Sequence, residues 1–118
     1  MTRIQASKDC GNSPKNRFVQ AIAIALETGN ATLEDYAEDI IWKRATETPL
    51  RGKTAFLGAL AAREKPAAVI VEHAISHGKV GAASGEVNLG GGAKRRFCHV
   101  VEFASVMGDR VTTLKSYA

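Results

Sequence analysis

Three histidines, His73, His77 and His99, and one arginine, Arg44, are the residues of this chain best suited to chemistry. An imidazole titrates near neutral pH and can accept or return a proton at a bound carbonyl compound. A guanidinium can hold a carboxylate or stabilise an enolate. The aspartates Asp9, Asp35, Asp39 and Asp109 fall in an N-terminal tail, a short helix, a strand start and a turn, which leaves Glu72, Glu86 and Glu102 as the acids well inside strand-like runs. Within each run their parity is opposite to that of the histidines, so regular alternation sends histidines to one face and glutamates to the other. The apolar company of His73 (Val69, Val71, Ile75) and of His99 (Phe97, Val101, Phe103) marks their face as the pocket side. His77, at a strand end beside Gly78, is the weakest of the three. Trp42 and Ile40 share the parity of Arg44, which places that arginine at the pocket mouth or interior. Each residue has a structural alternative: His99 as a hydrogen-bonded core histidine, Arg44 as a strand-end partner of Glu47, Trp42 and Tyr117 as core aromatics. No third ligand has a convincing spacing for zinc, so no metal is expected.

The elements that would carry these groups follow from periodicity. Residues 1–12 are polar and aperiodic and read as a flexible tail ahead of a single domain, 13–118. Ser13 offers an N-cap with Pro14 at the first helical position, and Phe18, Val19, Ile22 and Leu26 recur at helical spacing until Gly29. Thr32 with Asp35 suggests a second, shorter helix that buries Leu33, Tyr36 and Ala37. Residues 39–45 read as a strand, and 52–64 as a third helix with Phe56, Leu57, Leu60 and Ala61 inward before Pro66. Four strands follow over 67–77, 79–89, 94–106 and 110–117, divided by Gly78, Gly90-Gly91-Gly92 and Gly108-Asp109. The expected sheet is an antiparallel meander with the first strand at an edge. Both parities of the long strands carry apolar groups, so both faces call for cover. Gly81 and Gly85 mark places where a bulge could shift the parity.

Composition excludes several classes. At 118 residues, 45% hydrophobic and 24% charged, the chain makes one globular domain. No stretch approaches the roughly 20 apolar residues that span a bilayer, and a cytoplasmic protein is expected. Cys10 and Cys98 are read as free thiols. The net charge of +4 raises an anionic partner, but only Lys94-Arg95-Arg96 forms a basic run, and it lacks the interleaved aromatics of a nucleic-acid platform. Arg51-Gly52-Lys53-Thr54 looks like the end of a phosphate-binding loop, yet Glu47 stands where the first glycine belongs and Pro49 removes a donor. Gly52 as a tight turn and Thr54 as a helix cap are the simpler reading.

The ending Phe103 … Gly108-Asp109-Arg110-Val111 … Tyr117, with Arg51-Gly52-Lys53 before a helix, resembles the nuclear transport factor 2-like superfamily, which includes SnoaL-like and ketosteroid isomerase-like proteins. The resemblance covers residues 14–118. It implies an α+β fold in which a cone-shaped, curved antiparallel sheet packs on three helices from the N-terminal half, in the manner of a cystatin-like α+β barrel. It also implies a pocket on the concave face and a homodimer through the convex face. Ketosteroid isomerase uses an aspartate base with an oxyanion hole of a tyrosine and a protonated aspartic acid. The matching positions here are Arg44, Ile22 and His99, so steroid isomerisation does not transfer. The expectation is a small-molecule-binding protein for an apolar, carbonyl-bearing ligand, with His99 and Arg44 as catalytic candidates and Trp42, His73, Phe97, Val101, Phe103 and Tyr117 lining the pocket. Any reaction would be an isomerisation, cyclisation or dehydration without a cofactor. The alternative is a non-catalytic ligand-binding or dimerisation module of the same fold.

Overall fold

The computed structural model describes residues 2–8, 13–107 and 110–117. Helix α1, Pro14–Thr28, begins as the sequence implies, with Ser13 Oγ accepting from the Asn16 N–H at 3.1 Å and proline in the first turn. Gly29 closes it with φ 80°, its N–H donating to the Ala25 carbonyl at 2.8 Å. A Cβ at this position would meet the Leu60 carbonyl oxygen at 2.6 Å, so the cap also lets the next helix come close. Val19, Ile22, Ala23 and Leu26 form the buried stripe of α1.

The second expected helix is a single 3-10 turn, Leu33–Asp35, and the chain passes straight into a strand at Tyr36. The aromatic and β-branched run Tyr36, Ile40, Ile41, Trp42 packs better on a pleated surface than on a helix, so two of the three expected α-helices are present among the described residues. Helix α2, Lys53–Ala61, starts after Gly52; Thr54 does not cap it. Its Phe56 ring lies 4.7 Å from Tyr36 and 5.4 Å from Trp42.

The strands are β1 (Arg3–Gln5), β2 (Tyr36–Arg44), β3 (Leu50–Arg51), β4 (Ala68–His77), β5 (Val80–Gly90), β6 (Ala93–Phe103) and β7 (Val111–Tyr117). They form one curved, unclosed sheet in the order β1-β4-β5-β6-β7-β2-β3, giving an α+β fold. The meander β4 to β7 is antiparallel as expected, but β1 pairs with β4 and β2 with β7 in parallel, so the sheet is mixed. Arg3–Gln5, expected within a tail, is thus an edge strand against Ala68–Ile70. Strand β2 is not itself an edge, because β3 pairs outside it. Cys10 and the expected Gly108-Asp109 turn lie outside the described residues. No helix among the described residues is long and apolar enough to cross a membrane.

One irregularity decides which side chains face the core. In β4 the register runs Val71↔Gly85 and then His73↔Ser84, leaving Glu72 as an extra residue. Val69 and Val71 are buried before this bulge and Ala74 after it, while His73 and Ile75 are turned outward. Gly85 opposite makes the bulge possible: a Cβ there would lie 2.0 Å from the Ile70 carbonyl oxygen and 2.9 Å from the Phe97 ring.

Gly85→Ala is therefore expected to cost at least about 2 kcal/mol, read from the urea midpoint. Tyr36→Phe should do the reverse. The Tyr36 hydroxyl is buried, has no hydrogen-bond partner among the described residues, and has its pKa pushed up by burial. Its removal should leave stability unchanged or raise it by up to about 1 kcal/mol.

Candidate functional site

The register of β2, β6 and β7 lines up three polar residues across the inner face. His99 pairs with Ser116, and Ser116 pairs with Arg44. All three border a cleft of about 250 Å³, together with Glu27, Trp42, Arg63 and Arg95.

The floor of the cleft is a continuous hydrogen-bonded chain. Trp42 Nε1 donates to Ser116 Oγ at 2.8 Å, Ser116 Oγ lies 2.7 Å from His99 Nδ1, and His99 Nε2 lies 2.6 Å from Glu27 Oε2. An indole nitrogen only donates, so the serine oxygen accepts there and its own hydrogen is available for Nδ1. That assignment puts the imidazole proton on Nε2, aimed at Glu27. A turn of the Ser116 hydroxyl would instead leave its oxygen free to accept from an Nδ1–H. The other carboxylate oxygen, Glu27 Oε1, accepts from Arg95 Nη2 at 2.8 Å and lies 3.6 Å from Arg63 Nη2.

Glu27 is only 1% exposed and sits in the last turn of α1. Burial pushes its pKa up, yet the hydrogen bond from His99, joined by the hydrogen bond and charge of Arg95, outweighs burial and holds the carboxyl below its ordinary value. Helix geometry explains its direction: Val19, Ala23 and Glu27 follow at intervals of four on the buried stripe.

The residues singled out from the sequence divide into three groups. His99, Arg44 and Trp42 meet at the cleft. Arg44 also has the partner anticipated for it, with Nη1 2.6 Å from Glu47 Oε2 and Nη2 donating to the Thr48 carbonyl at 3.1 Å. Phe97, Val101 and Phe103 lie in the closed core rather than along a cavity; Phe97 stacks on His99 at 5.3 Å and Phe103 on Phe18 at 5.8 Å. His73, moved by the bulge, and Tyr117, at the far end of β7, are exposed and stand away from the cleft.

Glu27, Arg63, Arg95 and Ser116 were not singled out. A signal existed for Glu27, a charge inside an apolar helical stripe. Arg95 was hidden in its basic run, which strand alternation divides: Arg95 reaches inward to Glu27, while Lys94 pairs with Glu86 at 3.7 Å and Arg96 pairs with Glu72 and Glu86. A larger groove of about 440 Å³ between α1 and β1 is lined mainly by Ile4, Ala21, Ile24 and Ala25. Its one cation, Lys65, is engaged by Asn30 Oδ1 at 3.0 Å, so the groove offers little chemistry.

No family model matches the sequence, and no functionally curated protein matches it. Solved structures do match in shape. A protein described as a SnoaL-like polyketide cyclase from Mesorhizobium loti aligns at 16% identity over 86% of this chain and 97% of its own, with a TM-score of 0.63. An NTF2-like protein from Burkholderia xenovorans aligns at 18% identity over 87% of this chain and 81% of its own, with a TM-score of 0.69. A protein with a ketosteroid isomerase-like fold from Catenulispora acidiphila, solved with trimethylamine, aligns at 17% identity over 91% of this chain and 87% of its own, with a TM-score of 0.64. The chain has the nuclear transport factor 2-like fold, the architecture of SnoaL-like and ketosteroid isomerase-like proteins. Such a fold hosts many activities, so chemistry has to be argued from the cleft.

Because its pKa is lowered in the folded state, Glu27 contributes stability that is fully present above about pH 4.5 and lost as the pH falls through the folded value. Glu27→Gln should cost about 2–4 kcal/mol at neutral pH. Urea midpoints at pH 7 and in the acid limb should show the gap between the two proteins narrowing as the pH drops. A constant gap would mean that Glu27 is not ionised.

Proposed function

We propose that this protein binds a small carbonyl-bearing molecule in the cleft and that His99 acts there as a cofactor-independent general acid/base. The reaction class is isomerisation, cyclisation or dehydration, with Arg44 stabilising negative charge that develops on the ligand. The observation that carries this reading is the 2.6 Å link between His99 Nε2 and Glu27 Oε2 at the cleft floor. An ionised Glu27 stabilises the imidazolium that forms when His99 takes a proton. Ser116, half-buried at the cleft and 2.7 Å from Nδ1, supplies a hydroxyl through which that proton can pass. The names of the Mesorhizobium and Catenulispora structures support a small-molecule role only by analogy of fold.

A second reading, a binding or dimerisation module without turnover, is favoured by two observations. Both nitrogens of His99 are already taken by protein groups. On the outer face of the sheet, Ile75 and Val80 are exposed beside an apolar depression of about 370 Å³. A second copy of the chain packed on this convex face would cover them.

Exchange of α-protons in D₂O, followed by NMR across a panel of cyclic and open-chain ketones, separates the readings. On the catalytic reading His99→Gln lowers kcat by about 10²–10⁴ while ligand affinity changes little. A module without turnover exchanges nothing in either form. For the convex face, sedimentation should show a dimer that Ile75→Glu converts to monomer, because the new carboxylate would be buried unpaired.

A further inference from the structure

We infer that the ligand of the cleft carries a single carboxylate, held by the guanidiniums of Arg44, Arg63 and Arg95; this rests on the reading of the cleft as a ligand site. Three guanidiniums border the cleft against two carboxylates, Glu27 and Glu47, so its walls carry one net positive charge before His99 is counted. Donors also exceed acceptors. Each guanidinium has five N–H groups. Glu27 accepts one hydrogen bond from Arg95 and lies 3.6 Å from Arg63; Arg44 serves Glu47 and the Thr48 carbonyl. The Arg44 Nε is buried and has no hydrogen-bond partner among the described residues.

The three arginine side chains are 24–29% exposed, so a ligand can reach them while they are partly withdrawn from water. In such surroundings a charge-assisted, bidentate hydrogen bond to a carboxylate gains most. The rim acid Glu47 is 59% exposed and can yield its place on Arg44 to an incoming carboxylate. Size and charge narrow the class further. A cleft of about 250 Å³ is smaller than the roughly 300 Å³ at which drug-sized sites begin, and one net positive charge suits a monoanion better than a phosphate ester or a dicarboxylate. Elsewhere, Lys94 and Arg96 are matched by Glu72 and Glu86 on the outer face.

Trp42 is the only tryptophan, and the Arg44 and Arg63 guanidiniums lie 5.3 and 5.9 Å from its ring centroid, so its fluorescence reports on the cleft. Benzoate and benzamide, matched in shape and different in charge, are titrated against the full chain by tryptophan fluorescence and calorimetry at low and high salt. Benzoate is expected to bind at least about tenfold more tightly, with an advantage that shrinks as salt is added. Arg63→Gln should remove most of that advantage and Arg96→Gln none of it; if Arg63→Gln does not fold, Arg44→Gln replaces it. Equal affinities would overturn the carboxylate inference and leave the cleft as a ligand site. No binding of either probe would remove both. A benzoate preference that survives loss of a cleft arginine would place the anion elsewhere and overturn the inference.

Discussion

A carboxylate with almost no exposed surface, set in the last turn of a helix, meets two opposing effects: it loses its hydration, and it faces the negative end of the helix dipole. Glu27 tolerates both because three positive or donating side chains from two other parts of the chain converge on it: Arg95 and His99 from β6, and Arg63 from the segment after α2. Losing any one of these partners leaves charge unmatched in a site where water cannot fully replace it. The pairing therefore ties the end of α1 to the middle of the sheet and to the exit of α2. The orientation of His99, the position of Ser116 and the floor of the cleft all follow from it.

Register does the rest of the positioning. A shift of one residue in β6 or β7 would turn His99 or Ser116 to the outer face, and the bulge in β4 does this to His73. The same inner face is otherwise closed by Phe97, Val101 and Phe103, so the space inside the cone is largely filled with side chains. What remains open is small and arginine-rich, quite unlike the broad apolar cavity that a cone-shaped sheet could enclose. Proteins of this architecture differ in what they hold because the frame leaves a mouth whose lining is set residue by residue.

Several features were legible because their causes are local. Ser13, Pro14 and Gly29 bound α1 by capping chemistry that involves neighbours in sequence, and the meander β4 to β7 follows from apolar runs divided by turn residues. The motif at the C-terminal end and the Arg-Gly-Lys turn pointed to the same fold. The parallel pairing of β2 with β7 was not legible, since the two strands are far apart in sequence and neither carries a mark of its partner. The short helix after Thr32 was lost to the packing of Tyr36 and Trp42 around Phe56, a tertiary demand that outweighs local helix propensity.

The sequence by itself determined the α+β class, the limits of the first helix and the succession of four meander strands, and pointed to His99, Arg44 and Trp42 as site candidates, because capping, periodicity and turn chemistry act over a few residues; the third meander strand, expected to run to residue 106, ends at Phe103. Only the tertiary structure decided that Glu27 is the acid beside His99, that Arg95 leaves its basic run to face inward, and that His73 and Tyr117 stand outside. Those outcomes depend on helix docking, strand register and one bulge, which bring together groups up to 72 residues apart through long-range burial that no local pattern encodes.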